Sequence, residues 1–156
     1  MKRLIATIAL ALLVVPATFA GEQSLLARVT VYWASGDAGS NHNQSTRRRL
    51  QTGDCAVDTR HIPYGSRLIF PDGTTSAAVD TGPAVRNHKA ARISGRTVYE
   101  RNAVVIDRFF ETKREALSWA SRNPLFMTVR VVPPNLRTLA QLAEQAPLDS
   151  LAQPAF

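Results

Sequence analysis

The stretch Cys55-Ala56-Val57-Asp58-Thr59-Arg60-His61-Ile62-Pro63-Tyr64-Gly65-Ser66 passes from an apolar run, through a carboxylate, into a turn. Asp58 stands where a buried strand would end, and Pro63 and Gly65 occupy positions that set turn geometry. The pattern returns twice. Ala78-Val79-Asp80-Thr81-Gly82-Pro83-Ala84-Val85 carries an apolar run onto Asp80, and Val104-Val105-Ile106-Asp107-Arg108 carries another onto Asp107. Burying a carboxylate is costly unless it is paired, hydrogen-bonded or protonated. Three such placements in one small domain point to a site.

Outward from these runs, residues 67–70 and 75–80 read as two strands around Pro71-Asp72-Gly73, a hairpin signal. Residues 27–34 alternate as a half-buried strand, with Val29, Val31 and Trp33 on one face. Residues 96–99, 103–107 and 125–132 read as further strands. The polar stretches 35–53 and 87–95 read as loops, the first long enough to be either a substrate-binding loop or an insertion. Thr112-Lys113-Arg114-Glu115 matches a capping box. After it, Ala116, Leu117 and Ala120 form the apolar stripe of a short helix, with Trp119 at its margin and Pro124 closing it. Many short strands, frequent turns and one firm helix predict a mainly β fold closed into a small barrel.

Residues 1–20 read as a secretory signal peptide: Lys2 and Arg3, an apolar run, a breaking Pro16, then Thr18-Phe19-Ala20 before cleavage. The run is short for a membrane span, so no stable membrane insertion is expected once it is removed. Residues 27–133 form one domain, and residues 134–156 a weakly helical tail interrupted by Pro147 and Pro154. Cys55 is the lone cysteine, so no intrachain disulfide forms, and a small buried hydrophobe is its expected role. The net charge of +7 falls to +5 when Lys2 and Arg3 leave with the signal. A basic secreted protein suits an anionic polymer such as a cell wall. Nucleic acid is not an expected partner: Arg47-Arg48-Arg49 has no interleaved aromatic residues and reads as a solvated loop. His61 and His88 lack metal-ligand spacing with other His or Cys residues, so no metal site is expected.

Taken together, the segments around Asp58, Asp80 and Asp107 resemble the 3D domain family, named for its three aspartates. The first resembles that family's AVDP-x-x-IP-x-G-S/T signature, and Ala78–Val85 its A-x-D-T-G-G-A-I. Val105-Ile106-Asp107-Arg108-Phe109 resembles its x-I-D-L-F, Glu115-Ala116 its helical EA, and residues 127–132 its closing strand. The resemblance covers residues 29–132. It implies a six-stranded double-psi β-barrel with one short helix packed on it, similar to the catalytic barrel of membrane-bound lytic transglycosylase A and to resuscitation-promoting-factor-like secreted proteins. It further implies cleavage of the β-1,4 glycosidic bond of peptidoglycan, leaving a 1,6-anhydro-muramyl end, with no metal or organic cofactor. Asp107 then falls on the catalytic acid/base, Asp80 on its partner in the cleft and Asp58 on a supporting position. Thr81, Gly82, Tyr64 and Tyr32 are the expected substrate-binding residues. This chain departs from the family in the long basic segment between Asp80 and Asp107, where the family is much shorter and Gly82-Pro83-Ala84-Val85-Arg86-Asn87 replaces a Gly-Gly-Ala-Ile-Lys-Gly stretch.

The chemistry agrees with that assignment. Cleaving a glycosidic bond needs a carboxyl kept protonated near neutral pH. Asp107 follows the most apolar of the three runs, and apolar burial and neighbouring carboxylates both raise a carboxyl pKa. The structural alternatives are a turn-capping Asp58, a strand-end Asp80 and an Asp107 in a buried salt bridge with Arg108, Arg101 or another arginine. The expected protein is a periplasmic or extracellular monomer whose partner is peptidoglycan or a related wall glycan. The alternative function is a non-catalytic, expansin-like barrel that binds such a glycan.

Overall fold

Period-two alternation builds the first and last strands. In β1 (Gln23–Trp33), Ala27 and Val29 are buried, and Val31 and Trp33 pack against the same core. In β6 (Phe126–Val132), Met127, Val129 and Val131 are buried while Thr128 and Arg130 are exposed. The two pair antiparallel, from Gln23 opposite Val131 to Arg28 opposite Phe126. The expected hairpin is present: β3 (Arg67–Ile69) and β4 (Thr75–Asp80) pair antiparallel, with Gly73 at φ 81° in the turn. Two further strands, β2 (Asp54–Ala56) and β5 (Val104–Phe110), complete the sheet.

The computed structural model describes residues 21–34 and 48–135, and in it the six strands close in the order β1-β5-β2-β4-β3-β6. The pairs β1·β5 and β2·β4 are parallel and the other four are antiparallel. Closure removes the exposed sheet edges that six short strands would otherwise present. The fold class expected from the sequence, a mainly β six-stranded barrel with a short helix against it, is the one observed. The expected signal segment, most of the long polar stretch 35–53 and all of the tail beyond Asn135 lie outside the described residues. Among those described, no helix is long and apolar enough to cross a membrane.

The barrel has two apolar clusters. The interior holds Val29, Cys55, Leu68, Ala78, Ile106, Phe110, Val129 and Val131. A second cluster, of Ala56, Val85, Ala91, Ala103 and Val105, lies on the outer face. Successive residues of a strand point to opposite faces, so β5 sends Val104 and Ile106 inward and Val105 outward. Burial on both faces explains why β5 reads as an unbroken apolar run rather than an alternating one.

The outer cluster is covered by three short helices, α1 (Pro83–Arg86), α2 (Lys89–Ser94) and α3 (Val98–Arg101). They correct two expectations. Much of the expected loop over 87–95 is helical, and so is half of the expected strand over 96–99. The reason is tertiary. Val85 and Ala91 have the outer face of β5 to cover, whereas Tyr99 is 82% exposed and pairs with no strand. Thr97 and Glu100 form a full capping box at the start of α3: the Thr97 hydroxyl accepts from the Glu100 N–H at 3.1 Å, and the Glu100 carboxylate accepts from the Thr97 N–H at 3.0 Å.

The fourth helix, α4 (Lys113–Arg122), is the one the sequence predicts, and Thr112 caps it by accepting from the Glu115 N–H at 3.2 Å. The Glu115 carboxylate accepts from the Thr112 hydroxyl at 2.9 Å. The buried stripe is rotated from the expected one: Ala116 and Trp119 are buried, and Leu117 is 50% exposed. Trp119 is drawn in by its partners. Its indole N–H donates to the Asp72 carboxylate at 2.7 Å, and its ring meets Phe70 edge-on at 5.7 Å. The Arg108 guanidinium is inserted here, 4.2 Å from the Phe70 ring centre and 4.3 Å from that of Trp119. Arg108 therefore fills one end of the barrel and leaves Asp107, its neighbour in sequence, on the opposite face.

Candidate functional site

Register assembles the site. Thr30 of β1 pairs with Asp107 of β5, Asp107 pairs with Ala56 of β2, and Ala56 pairs with Asp80 of β4. Residues in register across a sheet share a face. The four side chains thus form one row across four adjacent strands, on the outer face that also carries Val105. Asp80 joins the row through an irregularity. Cys55 pairs with Ala78, but the next residue, Ala56, pairs with Asp80, so Val79 is an extra residue in β4. Without this bulge Asp80 would share the inward face of Ala78. Two strand spacings put the Asp80 and Asp107 backbones about 10 Å apart, with only the Ala56 methyl between.

Asp107 lines an open groove of about 460 Å³ together with Arg28, Thr30, Asn87, Lys89 and Ile93. Its carboxylate accepts from the Thr30 hydroxyl at 2.8 Å. Burial pushes the Asp107 carboxyl up to about 6. The Thr30 hydroxyl pulls it back, the charge of Asp80 adds to the rise, and the Arg28 guanidinium opposes it. The expected pairings with Arg108 and Arg101 do not form: Arg108 stacks among aromatic rings in the barrel, and Arg101 donates to the Arg96 carbonyl. Of the other arginines, Arg28 is near enough to act on Asp107 through its charge but is not within ion-pair distance.

Asp80 is 6% exposed and is not among the residues lining this groove. It accepts from the Tyr32 phenol at 3.4 Å. Burial, then the charges of Asp80 and Asp107, push the Tyr32 hydroxyl well above its ordinary value, so it remains a neutral donor. The Tyr32 ring meets Phe109 edge-on at 5.3 Å. Tyr32 is therefore a hydrogen-bonding neighbour of Asp80 on the face that carries Asp107.

Asp58 differs from both. It is 1% exposed, and Arg60 grips both its oxygens, Nε to Oδ1 at 2.9 Å and Nη2 to Oδ2 at 2.6 Å. The Arg60 N–H donates to it at 3.1 Å, and the His88 Nε2 lies 3.3 Å away. The Arg60 guanidinium holds the Asp58 carboxyl far below the usual carboxylate range. Arg60 also donates to the Arg86 carbonyl at 3.0 Å. Asp58 thus ties the turn after β2 to the segment between α1 and α2, which is a scaffold role.

The remaining expected residues scatter. The Thr81 hydroxyl is buried without a hydrogen-bond partner. Gly82 precedes α1 with an extended backbone and open space where a Cβ would stand, so nothing there demands glycine. Tyr64 is half-buried and does not line the groove with Asp107. Cys55 is fully buried, and its thiol is pushed up chiefly by that burial, in keeping with its expected packing role. Arg48 and Arg49 pair with Asp54 at 2.8 Å and Glu111 at 3.3 Å rather than projecting as a free basic run. Sequence spacing gave no sign that His61 and His88 meet, yet their rings lie 5.5 Å apart beside Asp58. Thr30 and Arg28, missed as site residues, occupy the polar positions in the alternation of β1; their meeting with Asp107 depends on a parallel pairing that no local signal announces.

No protein-family model matches the chain, and no curated protein matches it.

Proposed function

We propose that this chain is a secreted cell-wall enzyme of the 3D-domain type, cleaving the β-1,4 glycosidic bond of peptidoglycan in the manner of a lytic transglycosylase. The observation that carries the reading is Asp107: a carboxyl raised to about 6, at the wall of an open groove, on the same sheet face as a second aspartate. A groove of about 460 Å³ falls within the size range of small-ligand sites, about 300–1,000 Å³.

In this mechanism the protonated Asp107 donates to the glycosidic oxygen as the bond to C1 breaks. The resulting carboxylate accepts the proton of the muramyl 6-hydroxyl as that oxygen bonds to C1. No water is consumed, and Asp107 ends protonated. The charge of Asp80 favours the protonated acid, and Thr30 fixes the carboxyl by a hydrogen bond. The enzyme works as a monomer in the periplasm or outside the cell.

Incubation with purified peptidoglycan and mass analysis for anhydro-muropeptides tests this. The native chain should release them, and Asp107→Asn should not. Full activity in Asp107→Asn overturns the assignment. Co-sedimentation with insoluble wall and no product from the native chain would favour the expansin-like alternative.

A further inference from the structure

On the other side of the link that bounds the groove lies a second pocket, of about 260 Å³. Arg60, Arg86, His88, Arg92 and Arg101 line it, and Asn87 lines both this pocket and the groove. The four arginines come from four separate segments: the turn after β2, α1, α2 and α3. Asp58 pairs with Arg60, and among the described residues Arg86, Arg92 and Arg101 have no carboxylate partner. Crowding like charges opposes folding unless something neutralises them.

Two ligand chemistries compete for this corner. Asp58, His61 and His88 each offer an atom within 4.8 Å of the others, a spacing from which a cation could be held. Both Asp58 oxygens, however, are already taken by Arg60, and three further guanidinium groups repel a cation. Arg60 and Asp58 also show that one guanidinium satisfies one planar carboxylate. The three remaining arginines are exposed at the rim, and together they match an acceptor with more oxygens and more charge than one carboxylate.

We infer that this pocket is a binding site for a phosphate-class oxyanion, with Arg86, Arg92 and Arg101 as its principal ligands and Arg60 held in place by Asp58. Free phosphate esters and the phosphodiesters of a wall polymer carry the same chemistry. The inference does not depend on Asp107 being catalytic.

Calorimetric titration of the full chain with sodium tripolyphosphate tests the site. Binding should weaken at least tenfold in the double variant Arg86→Ala/Arg92→Ala. It should stay within twofold in Arg114→Ala/Arg122→Ala, which removes the same charge from exposed positions on α4. Equal weakening in both doubles would overturn the site in favour of diffuse attraction. So would absence of binding at millimolar tripolyphosphate. Stoichiometric binding of zinc chloride, lost in His61→Ala and His88→Ala, with no response to tripolyphosphate, would replace it with a cation site. Sedimentation of the Asp107→Asn chain with insoluble wall then separates the sources without cleavage intervening. Loss of arginine-dependent binding after hydrofluoric acid strips the phosphodiesters identifies the polymer. No arginine-dependent binding to untreated wall, with tripolyphosphate binding intact, identifies a free phosphate ester. Arginine-dependent binding that survives stripping overturns the phosphate assignment.

Discussion

Asp58 and Asp107 each follow a valine or isoleucine at the end of an apolar run, and their carboxyls are driven in opposite directions. Asp58 is held ionised by a bidentate guanidinium and a backbone N–H. Asp107 has one hydroxyl donor, and burial lifts it to about 6. Solvent exposure alone cannot separate them, since Asp58 is the less exposed of the two. It lies near the surface beneath the exposed Arg60, whereas burial is the leading influence on Asp107. Depth and donor supply decide together: a carboxylate near the surface gripped by a guanidinium becomes a tie in the scaffold, and a deeper one with a single neutral donor keeps its proton up to about pH 6.

The largest effect expected from breaking this contrast is on catalysis. Asp107→Asn should reduce glycan cleavage by on the order of a hundred- to ten-thousand-fold, the share typical of a positioned acid/base. Its circular dichroism should match that of the native chain, because the amide can still accept from Thr30. Asp58→Ala should act on stability instead. It leaves Arg60 and His88 without their shared acceptor and frees the link between α1 and α2, a cost of about 1–3 kcal/mol. Urea unfolding should show that loss. An Asp58→Ala chain as stable as the native one would mean that the helices over the groove do not depend on this tie.

The same contrast should appear in the pH dependence of stability. The folded-state value of Asp107 is raised from 3.8 to about 6, so its contribution is fully present below 3.8 and is lost as pH rises through about 6. That of Asp58 is lowered, so its contribution is present above 3.8 and is lost as pH falls below that value. Asp107→Asn should therefore gain stability relative to the native chain between pH 4 and 7, and Asp58→Asn should lose its disadvantage in acid. Thermal unfolding of the three proteins across pH measures both. Parallel curves would remove the electrostatic distinction.

The direction of this contrast was legible in the sequence, from the apolar run before Asp107 and the turn after Asp58; most of the contacts behind it were not. The barrel was, because turn chemistry and alternation are local: Pro71-Asp72-Gly73 announces the hairpin, and β1 and β6 alternate. The aspartates were legible as candidates because each ends an apolar run. The resemblance gave Asp107 the acid/base role and Asp58 a supporting one, and Arg60 stands two residues from Asp58; the other groups around each carboxyl were not readable, because they arrive from distant segments. Thr30 reaches Asp107 through a parallel pairing, and His88 reaches Asp58 across the covering helices. The bulge that turns Asp80 onto the outer face leaves no mark in Ala78-Val79-Asp80. The capping box at Thr97 and Glu100 was readable from the same spacing that identified Thr112 and Glu115.

The smallest expected effect is the most discriminating. Thr30→Val keeps the shape of the residue beside Asp107 and removes its hydroxyl. That hydroxyl favours the ionised carboxyl, so its loss should move the Asp107 pKa further up. The acid then stays protonated to higher pH, and the alkaline fall in cleavage rate should shift upward. The rate at the optimum should drop a few-fold as the carboxyl loses its positioning bond. A merely structural Thr30 would lower the rate without moving the profile. A downward shift would mean that another donor takes the place of the hydroxyl, and that Asp107 resembles Asp58 more closely than its surroundings suggest.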